Sequence, residues 1–210
     1  VTRKTRVAVL ISGRGSNMAA LIEAAKAPGY PAEIVAVLSN RPDAKGLELA
    51  RAAGLHAEAV DHKAFSSREE FEAALEARLE VHVADIVALA GFMRLMTPSF
   101  VERWAGRMIN IHPALLPAFK GLHTHERALA AGVRLHGCTV HYVTPGMDEG
   151  PIIAQAAVPV LAGDTADVLG ARVLAAEHRL YPAALARVAR GEAPIVAGRV
   201  AITGEDLLLG

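Results

Sequence analysis

Short, continuous apolar runs alternate with amphipathic stretches along the first half of the chain. Residues 7–12, 33–38 and 85–90 are apolar and rich in Val and Ile, which predicts strands of a parallel sheet, the first a central one buried on both faces. Residues 57–61 give a weaker third strand and residues 107–111 a fifth. Between them, helical periodicity covers residues 18–26, 44–53, 67–81 and 99–104. The punctuation agrees. Pro28, Gly29 and Pro31 close the first helix and Gly54 the second, Ser66 or Ser67 caps the third, and Pro98 opens the fourth.

Beyond a Pro- and Gly-rich loop at 113–121, residues 125–131 read as a helix. The alternating runs 137–143 and 152–160 predict two strands that pair antiparallel or cross at a sheet edge. Residues 165–190 form one long amphipathic helix, and 194–203 carry the pattern of a short hairpin. Strands alternating with helices imply an α/β fold, doubly wound, with a mostly parallel central sheet and helices on both faces. Such folds bind ligands beyond the carboxyl ends of their strands. Here those ends carry residues 13–17, 91–96 and 110–113.

Composition narrows the function classes. An apolar fraction of 52% sustains a full core, and 22 basic residues balance 22 acidic ones, so no nucleic-acid or membrane surface is expected. Cys138 is the only cysteine, which precludes an intrachain disulfide and fits a reducing cytosol. Arg3, Lys4 and Arg6 before an apolar run resemble the start of a signal peptide, but that run breaks at Ser12-Gly13-Arg14. The expectation is a basic lead into the first strand of a cytoplasmic protein that acts on small molecules, as a monomer or weak homodimer.

Gly13-Arg14-Gly15-Ser16-Asn17 sits between the first strand and the first helix. Glycines let the backbone approach an anion, and the amides of a helix start point at it. A dinucleotide site wants a third glycine where Met18 stands and an acid near Ser39-Asn40. A phosphomonoester is therefore the favoured ligand, with a glycine turn serving geometry alone as the alternative.

Asn110-Ile111-His112-Pro113 and Asp148-Glu149-Gly150-Pro151 supply a carboxamide, an imidazole and a carboxylate. In a strand Asn110 and His112 project to one face while Ile111 turns to the other. A strand-end cap and a turn aspartate are the plain readings of the same residues. Nine histidines include His123-x-His125 with ligand-like spacing, yet Cys138 falls on a buried strand and no catalytic metal is expected. His141 reads equally as a core histidine or a neighbour of the site. Taken alone, Met93 and Met96 read as core fillers and Arg68 as a solvated charge.

With these residues in view, the chain resembles the phosphoribosylglycinamide formyltransferases over about residues 6–190. The resemblance rests on Gly13-Arg-Gly-Ser-Asn17, Ser67-Arg-Glu69, Leu89-Ala-Gly-Phe-Met-Arg94, Asn110-Ile-His-Pro-Ala-Leu-Leu-Pro117 and Gly121-Leu-His-Thr-His125. His136-Gly137, Val140-His141, Asp148-x-Gly-Pro151 and Glu177-His178-x-x-Tyr-Pro182 also match, in order. It implies a single formyltransferase domain over 1–210, a Rossmann variant with a phosphate-binding half (1–100), a catalytic and folate-binding half (101–190) and a C-terminal extension (191–210).

The implied reaction uses 10-formyltetrahydrofolate as formyl donor, with Asn110, His112 and Asp148 catalytic. Gly13, Gly15, Ser16, Asn17, Met93 and Glu177 would hold the ribonucleotide. Arg68, Leu89, Met93, Arg94, Leu95, Met96, Asn110, Thr144, Pro145, Gly146, Met147 and Asp148 would hold the folate. Methionyl-tRNA formyltransferase and formyltetrahydrofolate deformylase share the Asn-x-His-Pro and Asp-x-Gly-Pro pair. Each carries an additional domain for which this chain shows no room, and a 10-formyltetrahydrofolate hydrolase is the alternative activity. A non-catalytic nucleotide binder is a third reading, disfavoured by three aligned catalytic candidates. The loop Pro117-Ala-Phe-Lys-Gly121 departs from the family's Pro-Lys-Tyr-Pro-Gly form, placing a lysine at 120 rather than 118.

Overall fold

The computed structural model describes residues 3–201. The chain folds as two compact units, Val1–Ile109 and Asn110–Gly210. Seven strands follow the order β3-β2-β1-β4-β5-β6-β7 in a mostly parallel sheet, as the alternating pattern predicts.

In the first unit, β1 (Thr5–Ile11) pairs in parallel with β2 (Ala32–Ser39) on one side and β4 (Ile86–Leu89) on the other. Val7 to Ile11 are all 0% exposed, so the continuous apolar run marks a strand covered on both faces. β3 (Ala57–Ala59) is only three residues long and extends β2 in parallel.

The helices of this unit are α1 (Ser16–Ala25), α2 (Lys45–Ala52), α3 (Arg68–Val81) and α4 (Pro98–Arg103). Ser67 caps α3 by accepting from Glu70 N at 3.1 Å, and Glu70 reaches back to Ser66 N at 3.0 Å. Thr97 caps α4, a role the sequence reading left unassigned. A 3-10 turn at His62–Ala64 is likewise an addition. Its side-chain cap is Asp61.

The second unit holds the end of β5 (Met108–His112), then α5 (Thr124–Ala130), β6 (Leu135–Tyr142), β7 (Ile152–Pro159) and α6 (Ala166–Arg190). β6 and β7 run antiparallel, with an irregularity between Val140 and His141. Gly137 makes that pairing possible: a Cβ there would lie 2.0 Å from the Ala156 carbonyl oxygen. β8 (Ile195–Val196) and β9 (Arg199–Val200) form the expected hairpin, while residues 202 and 203 of the expected span lie outside the described residues. No helix among the described residues is long and apolar enough to cross a membrane.

Candidate active site

The first unit carries a polar cleft of about 560 Å³ at the carboxyl ends of β1, β2 and β4. Ser12 organises it. Its hydroxyl donates to Asn40 Oδ1 at 2.5 Å and accepts from the Met93 amide at 2.8 Å. One side chain thus ties together the segments that follow all three strands. The Asn40 carbonyl in turn accepts from His62 Nδ1 at 2.7 Å.

The glycine loop closes against α2. Gly15 has φ +74°, and a Cβ on it would lie 2.9 Å from the Gly46 Cα. Gly46 N donates to Gly13 O at 3.0 Å, and a Cβ on Gly46 would meet Ile11 Cδ1 at 2.5 Å. Two glycines from different elements are needed for this approach. The N-cap of α1 is Gly15, which has no side chain of its own to compete with an anion for that helix terminus. Arg14, Arg41 and Arg94 also line the cleft. Arg94 lies 5.1 Å over the Phe71 ring, and its Nε is buried without a hydrogen-bond partner among the described residues.

Of the residues expected to hold the ribonucleotide, Gly13, Gly15, Ser16, Asn17 and Met93 share this cleft, together with Arg94 from the folate set. Met93 is 67% exposed, which corrects its reading as a core filler: β4 ends at Leu89, and the chain after it runs as a loop. Leu95 is exposed, Met96 half-buried, Leu89 buried within β4, and Arg68 exposed at the start of α3. Ser12, Asn40, Arg41, His62 and Gly46 were missed. Asn40 and Arg41 follow strand two, where no acid stands, and the polar cluster they join has no local motif.

The second unit carries the three polar groups of the expected corner. Asn110 and His112 project from β5 on either side of the buried Ile111. Asp148, with φ +53°, sits in the loop between β6 and β7. Its Oδ2 accepts from the Gly121 amide at 2.8 Å and lies 3.4 Å from His112 Nδ1. Gly150 lets the loop turn this tightly, since a Cβ there would fall 1.7 Å from the Tyr142 carbonyl oxygen.

His112 Nε2 lies 3.0 Å from the Phe119 carbonyl oxygen. Both ring nitrogens therefore face acceptors, an environment that a doubly protonated imidazole satisfies. Arg127 lies over the Phe119 ring at 5.7 Å, and Lys120 Nζ pairs with Glu149 Oε1 at 2.9 Å. In this structure the displaced lysine of the 117–121 loop is engaged with that glutamate.

His141 proves to be both things its sequence context allowed. It is buried, and its Nδ1 lies 2.8 Å from the Tyr142 carbonyl oxygen. Its Nε2 faces Asn110 Nδ2 at 3.3 Å and Asp148 Oδ1 at 3.9 Å. Burial holds the ring below the ordinary histidine pKa, hence neutral at pH 7. A neutral ring that donates from Nδ1 must accept at Nε2, so the tautomer assigned from these partners makes His141 the acceptor for the Asn110 amide.

Thr144, Pro145, Gly146 and Met147 form the loop leading to Asp148, with Pro145 and Met147 exposed. Glu177 is buried on α6. The spacing of His123 and His125 does not make a pair of ligands. His123 is exposed and turned to Glu126 at 3.6 Å, whereas His125 Nδ1 meets His136 Nε2 at 3.2 Å. Burial, with help from His125 and His112, pushes His136 down to about 4. Cys138 is fully buried, and burial together with Glu177 pushes its thiol up to about 12.

Known proteins resemble this chain in sequence and in fold. The sequence profile of the formyl transferase family matches residues 5–185. The phosphoribosylglycinamide formyltransferase of Escherichia coli K12 is 48% identical over 185 residues, covering 88% of this chain and 87% of that protein. The human trifunctional purine biosynthetic protein adenosine-3 is 50% identical over 189 residues, covering 90% of this chain but 19% of that protein. The chain thus spans about a fifth of the length of its trifunctional relatives. A solved phosphoribosylglycinamide formyltransferase from Brucella melitensis superposes with TM-score 0.87 at 57% identity, covering 93% of this chain and 100% of that one. Glycinamide ribonucleotide transformylase 1 from Symbiobacterium toebii gives TM-score 0.92 at 49% identity, covering 95% and 94%.

Proposed function

The chain belongs to the formyl transferase family, among the phosphoribosylglycinamide formyltransferases, and on that premise we propose that it transfers the formyl group of 10-formyltetrahydrofolate to the amine of N1-(5-phospho-D-ribosyl)glycinamide. The products are the N2-formyl ribonucleotide and tetrahydrofolate, a step of purine biosynthesis. The observation that carries this reading is the meeting of Asn110, His112 and Asp148 in one corner, with Asp148 Oδ2 3.4 Å from His112 Nδ1.

The amine nitrogen attacks the formyl carbon, and negative charge grows on the formyl oxygen. Asn110 has two amide hydrogens; His141 takes one, which leaves the other directed for that oxygen. His112 supplies a second donor from Nε2 once the ring exchanges the Phe119 carbonyl for the oxyanion. Loss of one such preorganised donor costs roughly 2.7–4 kcal/mol. Asp148 faces His112 and holds the ring in place. The proton leaving the amine passes by way of Asp148, directly or through water, to the folate nitrogen as the carbon–nitrogen bond to the folate breaks.

The glycine loop and helix start in the first unit suit the phosphate, as do Arg14 and Arg41. Ser16, Asn17 and Met93 hold the ribonucleotide beside them. Leu89, Arg94, Leu95 and Met96 of the first unit suit the pterin, with Arg68 reserved for the folate's glutamate tail, where a guanidinium fits a carboxylate. The hydrolase alternative draws no support from the relatives named above, which are transferases or purine biosynthetic proteins. Mass spectrometry of the ribonucleotide after incubation with enzyme and 10-formyltetrahydrofolate tests the proposal. A formylated ribonucleotide is expected, and an unmodified one overturns it.

A further inference from the structure

Within the first unit, three groups with metal-binding atoms meet at the end of the sheet away from the phosphate cleft. His56 immediately precedes β3, Glu58 lies within β3, and His82 caps the carboxyl end of α3 just before β4. One ligand atom from each lies within 4.8 Å of the others. His56 Nε2 and Glu58 Oε1 are 3.4 Å apart, and the rings of His56 and His82 stack at 4.3 Å between centroids, tilted by 41°. We propose that His56, Glu58 and His82 form a binding site for a divalent transition-metal ion, Zn²⁺ in the first instance, independent of the formyl-transfer chemistry.

Three arguments support the assignment. The first is distance. Zn–N and Zn–O bonds of about 2.05 Å at tetrahedral angles separate neighbouring ligand atoms by about 3.3 Å. The His56–Glu58 pair already has that spacing, and the ligand atom of His82 lies within 4.8 Å of both.

The second is anchorage. The His56 carbonyl accepts from Val37 N at 2.9 Å, and Glu58 is paired with Leu38 of β2. His82 N donates to Arg78 O at 3.2 Å, and its carbonyl accepts from Arg6 Nη2 at 2.9 Å. The backbone of each ligand is thus fixed by secondary structure, which lowers the cost of assembling a site.

The third is ligand chemistry. Two imidazoles and one carboxylate select Zn²⁺ or its transition-metal neighbours over Mg²⁺ and Ca²⁺, which prefer all-oxygen shells. Water would complete the coordination.

One group opposes binding. Arg78 Nε lies 3.1 Å from the same Glu58 Oε1, so a metal must displace this guanidinium. Arg78 is half exposed and can swing into solvent. Arg6 is already committed to Glu33 and to the His82 carbonyl.

The experiment is titration of chelator-treated, full-length protein with Co²⁺, followed by its visible d–d absorption, then competition with Zn²⁺. Both are repeated on His56→Ala, His82→Ala, Glu58→Gln and Arg78→Ala, with formyl transfer measured as a check on folding. Stoichiometric binding is expected, weakened in both histidine variants by at least the roughly 10–100-fold that even outer partners of metal sites cost. It should be weakened in Glu58→Gln and strengthened in Arg78→Ala, while formyl transfer persists in all four. Absence of a Co²⁺ spectrum in the parent protein overturns the site. So does a Co²⁺ affinity that neither histidine variant changes. Should a histidine variant fail to fold, the opposite responses of Glu58→Gln and Arg78→Ala decide the matter: equal affinity in those two rejects the proposal.

Discussion

His141 Nε2 faces the Asn110 carboxamide at 3.3 Å while Nδ1 of the same ring faces the Tyr142 carbonyl at 2.8 Å. The ring is wedged between strand backbone and site, and its neutral state leaves it one way to bond. His141→Ala should therefore release the Asn110 amide and lower kcat by about 10²-fold, the usual scale for a misplaced reacting group. KM should change little. Steady-state kinetics check this, and an unchanged kcat would remove His141 from the positioning of Asn110.

Asp148 accepts from the Gly121 amide with the same oxygen that faces His112. Asp148→Asn keeps the side chain's size and removes its charge. The expected loss in kcat is about 10²–10⁴-fold, the range of general acid–base contributions, with KM close to the parent value. Full activity in this variant would sink the carboxylate's role.

Gly15 and Gly46 meet at a crossing too close for a side chain. Gly46→Ala should force α2 away from the glycine loop, costing about 1–3 kcal/mol as overpacking does. The kinetic signature is a higher KM for the ribonucleotide with kcat less affected. Thermal melts and substrate titrations read the two effects separately.

These sites differ in how far the sequence announced them. The strands of the first unit were legible because burial on both faces produces unbroken apolar runs such as Val7–Ile11, and the helices because Ser67, Gly54 and Pro98 mark their ends. The corner was legible in Asn110 and His112 because two-residue strand periodicity places them on one side. Gly46 was not, since its need arises from a contact with Gly15 and no local pattern records it. Ser12 and Asn40 were hidden for the same reason: their hydrogen bond spans two strands. His141 could be weighed but not decided, because only the fold shows which polar atoms its nitrogens meet.

Cys138 is buried and its thiol is pushed up to about 12, so little thiolate forms at neutral pH. Iodoacetamide should leave the native protein unmodified at pH 8 and alkylate it once in denaturant. Mass spectrometry distinguishes the two. Rapid alkylation of the native protein would contradict the burial.

His136 titrates near 4 in the folded protein, against about 6.5 for an unfolded histidine. Between those values the unfolded state binds more protons, so stability must fall as pH drops from about 6.5 to about 4. The shift corresponds to roughly 3 kcal/mol at most. Urea melts at pH 7 and pH 4.5 should show a smaller acid-induced loss in His136→Gln than in the parent. Equal losses would show that His136 does not hold this proton linkage.

The central claim is that this chain delivers a formyl group to an amine, using its Asn110–His112–Asp148 corner. The most direct measurement follows the absorbance change as a 10-formyl folate is consumed, with and without glycinamide ribonucleotide. The account predicts turnover only when the ribonucleotide is present, and its collapse in His112→Ala. Consumption at the same rate without the ribonucleotide would contradict it and identify a hydrolase.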